Sequence, residues 1–266
     1  MRKIILSVIA TALTLAGSQA IAEGTLERIR ESGVIRVAID LSVPPWSYKG
    51  SDLKPTGSEV ETAELLAGSL GVEMQIMPTN GANRIPFLLS GQADVIISAL
   101  SITDERKDVV DFSRPYSGAA TFVAGPKSVQ INDAVELSGK RIAVTRGTAN
   151  ETDLTAIAPA DAEIVRFEDE ATTITAVASG QVELVAQAQS LIDVINQRNP
   201  ALQLEPKLTL RDFRVGMAVR KGDSDFLGYL DRWIIDNLRN GKLSEIYTRH
   251  QHAELPIDIL EGIQSQ

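Results

Sequence analysis

An α/β fold is predicted by three features of this sequence. Short apolar runs alternate with amphipathic segments along most of the chain. The recurring strand, helix, strand order calls for parallel sheets, whose ligand sites lie beyond the C-terminal ends of the strands. A chain of 266 residues with 44% hydrophobic content has the apolar mass for one large or two ordinary domains.

Taken in order, "VIRVAID" (34–40) reads as a strand and "SEVETAELLAGSLG" (58–71) as a helix, with Ser58 and Glu61 at capping-box spacing and Gly71 as its stop. "VEMQIM" (72–77) is the next strand, "NRIPFLLSG" (83–91) a helix closed by Gly91, and "ADVIISAL" (93–100) a buried strand. A turn of helix at "TDERKDVV" precedes the strand "GAATFVAGPK" (118–127). A second series follows: strand "KRIAVTRG", helix "NETDLTAIA", strand "AEIVRF", helix "DEATTITAVASG", strand "VELVAQA" and helix "SLIDVINQRNP". The segment from Arg214 to His250 adds one more strand and two terminal helices.

The N-terminus narrows where such a protein works. Two cations, an apolar run from Ile4 to about Ala16 and the triplet Ala20-Ile21-Ala22 give residues 1–22 the form of an export signal peptide with its cleavage site. The apolar core is shorter than the roughly 20 residues that span a bilayer. Loss of Arg2 and Lys3 with no acid would take the net charge from -9 to -11. That acidity argues against nucleic acid or anionic lipid as a partner, since both call for clustered cations. With no cysteine there is neither a disulfide framework nor a lipid-anchoring thiol, so a diffusing periplasmic protein is expected.

Motifs of catalysis are missing. The chain has no G-x-S-x-G, no GxxxxGK[ST], no GxGxxG and no HExxH, which removes weight from hydrolase, nucleotide-binding and zinc-protease readings. His250 and His252 form an H-x-H pair that reads better as a solvated helix end than as a metal site. No cofactor is expected. Asn150-Glu151-Thr152 matches a glycosylation acceptor only by pattern.

One stretch, "SALSITDERKDVVDF" (98–112), does carry chemistry. Ser98 and Ser101 fall at the end of a strand, Thr103 sits where an N-cap belongs, and Arg106 lies in the first helical turn. A guanidinium beside hydroxyls and free amides suits a small carboxylate, because its fork is bidentate and keeps its charge. On spacing alone, Glu105, Arg106 and Lys107 read equally well as a solvated face.

"GVIRVAIDLSVPPWSYKG", "NRIPFLLSGQADVIISALSITDERKDVVDFSRPY", "KRIAVTRGTANETDL" and "AVRKGDSDFLGYLDRWIIDNLRNGKLSEIY" together resemble the polar amino acid family of periplasmic solute-binding proteins, the receptors of ABC importers. The resemblance runs from about residue 24 to 250. It implies a two-lobed, type II periplasmic-binding-protein fold, each lobe a mixed, mostly parallel sheet flanked by helices. Lobe one would hold residues 24–116 and 216–266, lobe two 121–211, with hinges at 117–120 and 212–215. It further implies a monomer that closes on an amino acid or related small carboxylate and then docks on a permease of the inner membrane.

Carried over by position, the resemblance puts Arg106 on the ligand carboxylate with the Ser101 hydroxyl and amide assisting, and Ser98 offering its carbonyl to the ammonium. Asp40 matches a cleft carboxylate, alternatively a loop-bracing Asp, and Thr148 with the Ala149 amide matches a turn closing over the carboxylate from the second lobe. Two departures stand out. Relatives often carry an ammonium-binding aspartate five residues after the acid at Glu183, where this chain has Ala188 flanked by Gln187 and Gln189. Val43 and Gly81 stand where relatives often place rings, leaving Trp46 and Tyr48 to form an aromatic wall or to pack against the hinge. A periplasmic hydro-lyase resembling the cyclohexadienyl dehydratases is the rival reading, although no motif supplies its general acid. A receptor that signals rather than transports is a remoter one.

Overall fold

The computed structural model describes residues 24–264 of the chain. The predicted signal peptide therefore lies outside the described residues. The chain runs α1 (Thr25–Ser32), β1 (Val34–Asp40), β2 (Ser42–Val43), β3 (Ser47–Lys49), β4 (Pro55–Thr56), α2 (Ser58–Leu70), β5 (Glu73–Thr79), α3 (Arg84–Leu89), β6 (Val95–Ile96), α4 (Asp104–Lys107), β7 (Val110–Phe112) and β8 (Ser117–Pro126). It continues through β9 (Arg141–Thr145), α5 (Ala149–Ile157), β10 (Glu163–Phe167), α6 (Glu170–Ala178), β11 (Leu184–Ala188), α7 (Gln189–Arg198), β12 (Leu204–Val215), β13 (Ala218–Arg220), α8 (Ser224–Arg239), α9 (Lys242–Gln251) and α10 (Ile257–Gln264).

Two five-stranded sheets make the two lobes. The first has the order β5-β1-β6-β13-β7 and the second β10-β9-β11-β8-β12. In each, three strands run parallel, β5, β1 and β6 or β10, β9 and β11, and two antiparallel strands complete the edge. Parallel strands buried on both faces read as continuous apolar runs. Accordingly Ile35, Val37, Ala38 and Ile39 of β1 and Ile142, Ala143 and Val144 of β9 are fully buried. Asp94 is buried too, and takes hydrogen bonds from Arg28, Arg36 and the Arg36 amide, pinning α1 to the first sheet.

The lobes are joined by β8 and β12, which pair antiparallel from Ser117↔Val215 to Pro126↔Leu204. The two strands form one two-stranded ribbon whose register shifts between Pro206 and Leu208 and between Thr209 and Arg211. β12 was not foreseen from sequence, because its charged and apolar residues alternate around Pro206 without the apolar run that marks a buried strand. Two other expectations are corrected. The strand foreseen over 93–100 ends at Ile96, and Ala99, at φ 45°, turns the chain sharply. Ser58 does not cap α2: it is the first helical residue, Gly57 is the cap, and Glu61 instead pairs with Arg249 and His250 of α9. No described helix is long and apolar enough to cross a membrane.

Candidate functional site

The site begins with the way strand ends point at the gap between the sheets. Asp40 closes β1, Thr145 closes β9 and Ala188 closes β11, so the carboxyl ends of parallel strands from both lobes face one crevice. The crevice is shut. Arg106 Nη2 donates to the Gly147 carbonyl at 3.0 Å and Trp46 Nε1 to Ser190 Oγ at 3.2 Å, both across the lobes. A Cβ on Gly81 would lie 2.6 Å from the Arg146 carbonyl oxygen, and one on Gly147, which has φ 71°, would lie 2.5 Å from Ala82 Cα. Backbone meets backbone there, which explains why no ring stands at position 81.

The enclosed cavity is lined by seven of the eight residues singled out in the sequence: Asp40, Trp46, Ser101, Arg106, Thr148, Ala149 and Gln187. α4 presents Arg106 as expected. Thr103 caps the helix by accepting from the Arg106 amide at 3.3 Å, and Lys107 pairs outward with Asp104, leaving Arg106 to turn inward. Its Nη1 donates to the Ser101 carbonyl at 2.9 Å. Among the described residues no carboxylate lies within ion-pair distance of it. Burial, aided by the nearby Arg84 charge, lowers its guanidinium to about 9. Opposite stands the N-terminus of α5, which Thr148 caps by accepting from the Glu151 amide at 3.2 Å while donating to the Thr145 carbonyl at 2.7 Å.

Ser98 is the exception. It is fully buried, its carbonyl accepts from Arg84 Nη1 at 2.6 Å and its hydroxyl accepts from the Asp40 amide at 2.8 Å. Ser98 lies behind the cavity wall rather than on it, and its carbonyl already takes one hydrogen bond from Arg84. Asp40 Oδ1 braces the loop by accepting from the Ser42 amide and hydroxyl at 2.9 and 2.6 Å, and the residue also lines the cavity. Burial raises its carboxyl above the usual value. Trp46, 1% exposed, lines the cavity and packs against Phe213 of β12 and Tyr247 of α9 at centroid distances of 6.4 and 6.1 Å. Tyr48 and Gln189 lie outside the cavity, Gln189 bonding Asp193 along α7.

Of the lining residues that escaped the sequence reading, four bear on the chemistry of the site. Arg84 is buried beneath the floor, and burial lowers its guanidinium from the ordinary value. Phe213 extends the aromatic wall from the ribbon. Asn150 donates to Gln187 Oε1 at 3.3 Å, and Gln187 Nε2 donates to Glu170 Oε2 at 2.6 Å. Glu170 itself is 5% exposed, and burial pushes its carboxyl up to about 7. Its only sequence signal is its place beside Asp169, the N-cap of α6, where acids are routine. Among the described residues no group of three or more metal-ligating side chains is assembled.

A two-lobed α/β fold shut around a charged cavity defines a class, the periplasmic-type ligand receptors. The chain belongs to the bacterial extracellular solute-binding proteins, family 3, whose model matches residues 35–253. It is 31% identical over 227 residues to the L-cystine-binding protein TcyJ of Escherichia coli K12, covering 84% of this chain and 85% of that one. It is 29% identical over 253 residues to an L-arginine-binding protein of Pseudomonas aeruginosa, with 90% and 95% covered, and 27% identical over 243 residues to a cyclohexadienyl dehydratase of the same organism, with 88% of each covered. Among solved structures, a mutant of ArgBP from T. maritima superposes with a TM-score of 0.78 at 27% identity, covering 86% of this chain and 100% of that one. The solute receptor for L-cysteine of Neisseria gonorrhoeae gives 0.78 at 29% identity, with 85% and 92% covered.

Proposed function

We propose that this protein is the periplasmic receptor of an ABC importer and captures a small amino acid by closing its lobes over it. The observation that carries the reading is Arg106, a cation in a closed cavity with no acid beside it and a hydrogen bond to each lobe. A ligand carboxylate completes it, held also by the Ser101 hydroxyl and the Ala149 amide at the start of α5. Asp40 takes the ammonium, and Trp46 walls the side chain. Thr148 and Gln187 act one step back, as the α5 cap and a brace for Glu170. Contacts from both lobes exist only in the shut form, so ligand shifts the open and closed populations by that difference in contact energy. In this reading the lobes, 24–116 with 216–266 and 121–211, turn about 117–120 and 212–215. Signal residues 1–22 deliver a monomer to the periplasm, where the shut form meets its permease.

A thermal-shift panel of the twenty L-amino acids and L-cystine on the mature chain, followed by calorimetry, tests this. A shift with small neutral members is expected; no shift with any amino acid would end the reading.

One observation favours a hydro-lyase as the second reading: Glu170 is a buried acid, raised to about 7, inside the cavity. Incubation with prephenate or arogenate decides between them. No aromatic product is expected, and turnover would replace the pure receptor with an enzyme.

A further inference from the structure

The cavity contains a carboxylate that no strand motif announces. We propose that Glu170 is the residue that selects an ammonium-bearing ligand, gripping that group together with Asp40, one acid from each lobe; the proposal rests on the amino acid reading above.

The hydrogen bonds of the two acids carry the argument. Thr145 Oγ1 and Gln187 Nε2 both donate to Glu170 Oε2, at 2.7 and 2.6 Å, and Oε1 receives nothing from the described residues. Asp40 repeats the arrangement: both Ser42 donors converge on Oδ1, and Oδ2 receives nothing from the described residues. Each acid is thus anchored by one oxygen and has the other unengaged, and both line the same cavity. Arg84 feels both charges yet pairs with neither, since its N–H groups go to the carbonyls of Ser98 and Gly81. The Asp40 charge raises the proton affinity of Glu170 in addition to the effect of burial, so a cation placed between them relieves Glu170.

Charge balance names the ligand class. Among the described residues, the charged groups lining the cavity are Arg84 and Arg106 against Asp40 and Glu170, a neutral set. A zwitterion preserves that neutrality in a closed, poorly hydrated space. A ligand lacking its ammonium, or carrying a second cation, leaves an unbalanced charge there. Gln187 is the positioning residue. Its Oε1 accepts from Asn150 Nδ2 and the Ala188 amide, which orients Nε2 toward Glu170. The chain therefore supplies from the start of α6 the acid that position 188, at the end of β11, does not.

Calorimetry on the mature chain tests this with a probe pair: the L-amino acid that binds the wild type most tightly, and its des-amino counterpart. Wild type is expected to prefer the amino acid, and Glu170→Gln to weaken that amino acid about 10- to 100-fold while the des-amino acid binds no more weakly, since the variant cavity carries one more net positive charge. A merely structural role would weaken both alike. Should the Gln variant not fold, Glu170→Asp, which retracts the charge by one methylene, is expected to narrow the same preference. An unchanged preference in a folded variant overturns this proposal while leaving the receptor reading intact. Failure of every amino acid to bind the wild type overturns both.

Discussion

On the first-lobe wall of the cleft Ser101 and Arg106 come from a single short stretch of chain, whereas on the second-lobe wall Asn150, Glu170 and Gln187 come from α5, α6 and β11, with Thr145 of β9 behind them. On the first wall the cation is held by main-chain carbonyls, so its neighbours' side chains matter little to its placement. On the second wall each polar side chain is held by another, in a chain from Asn150 through Gln187 to Glu170 and Thr145. The first design is compact and readable. The second depends on every member being present, since a buried polar group that loses its partner carries its full desolvation cost.

Trp46 is the seam between these walls, and removing it is the hardest test of the contrast. Trp46→Ala deletes a fully buried ring packed on Phe213 and Tyr247 and is expected to lower unfolding stability by about 3–5 kcal/mol in urea titration. A loss well under 1 kcal/mol would show that the walls stand independently. Arg106→Ala follows, expected to weaken amino acid binding by about 1.5–3 kcal/mol with the fold intact. Unchanged affinity by calorimetry would remove the first wall from the site.

Gly147→Ala probes closure itself. A left-handed backbone costs an ordinary residue about 1–2 kcal/mol, and here the added Cβ also meets Ala82. Weaker binding and loss of ligand-induced compaction in X-ray scattering are expected; normal compaction would contradict the close contact of the lobes. The smallest effect is with pH. Glu59 is buried, accepts from Tyr116 Oη at 2.5 Å and the Ala99 amide at 3.1 Å, and is pushed by burial to about 7, as is Glu170. Their folded affinity for protons exceeds the unfolded, so native protein binds more protons and stability falls as pH rises from about 5 through 7. Melting temperature of the ligand-free protein should decline over that window, and Glu59→Gln should flatten the decline. A rising curve would reverse the assignment.

What was legible follows the same division. The strands β1, β5, β9, β10 and β11 and the helices between them were readable because each buries a periodic apolar face. Arg106, Ser101 and Thr103 were readable because a helix start after a strand end places them by local geometry alone. Glu170 was not, since an acid in the first turn of a helix is ordinary, and only the packing of α6 against β9 and β11 aims it into the cavity. Asn150 stood out merely as part of a glycosylation-like triplet, yet it is buried in the site. The bond from Arg84 to the Ser98 carbonyl was not legible either, because it depends on how α3 packs beneath the strand end.

The sequence by itself determined the α/β alternation and the capped helix start that carries Arg106, because periodicity, composition and capping act over a few residues. Only the tertiary structure decided how the second wall answers it. Backbone contact between Gly81 and Arg146, and between Ala82 and Gly147, sets the gap, and into that gap two distant carboxylates converge. Electrostatics inside a closed cavity depends on distances between parts of the chain that no local pattern encodes.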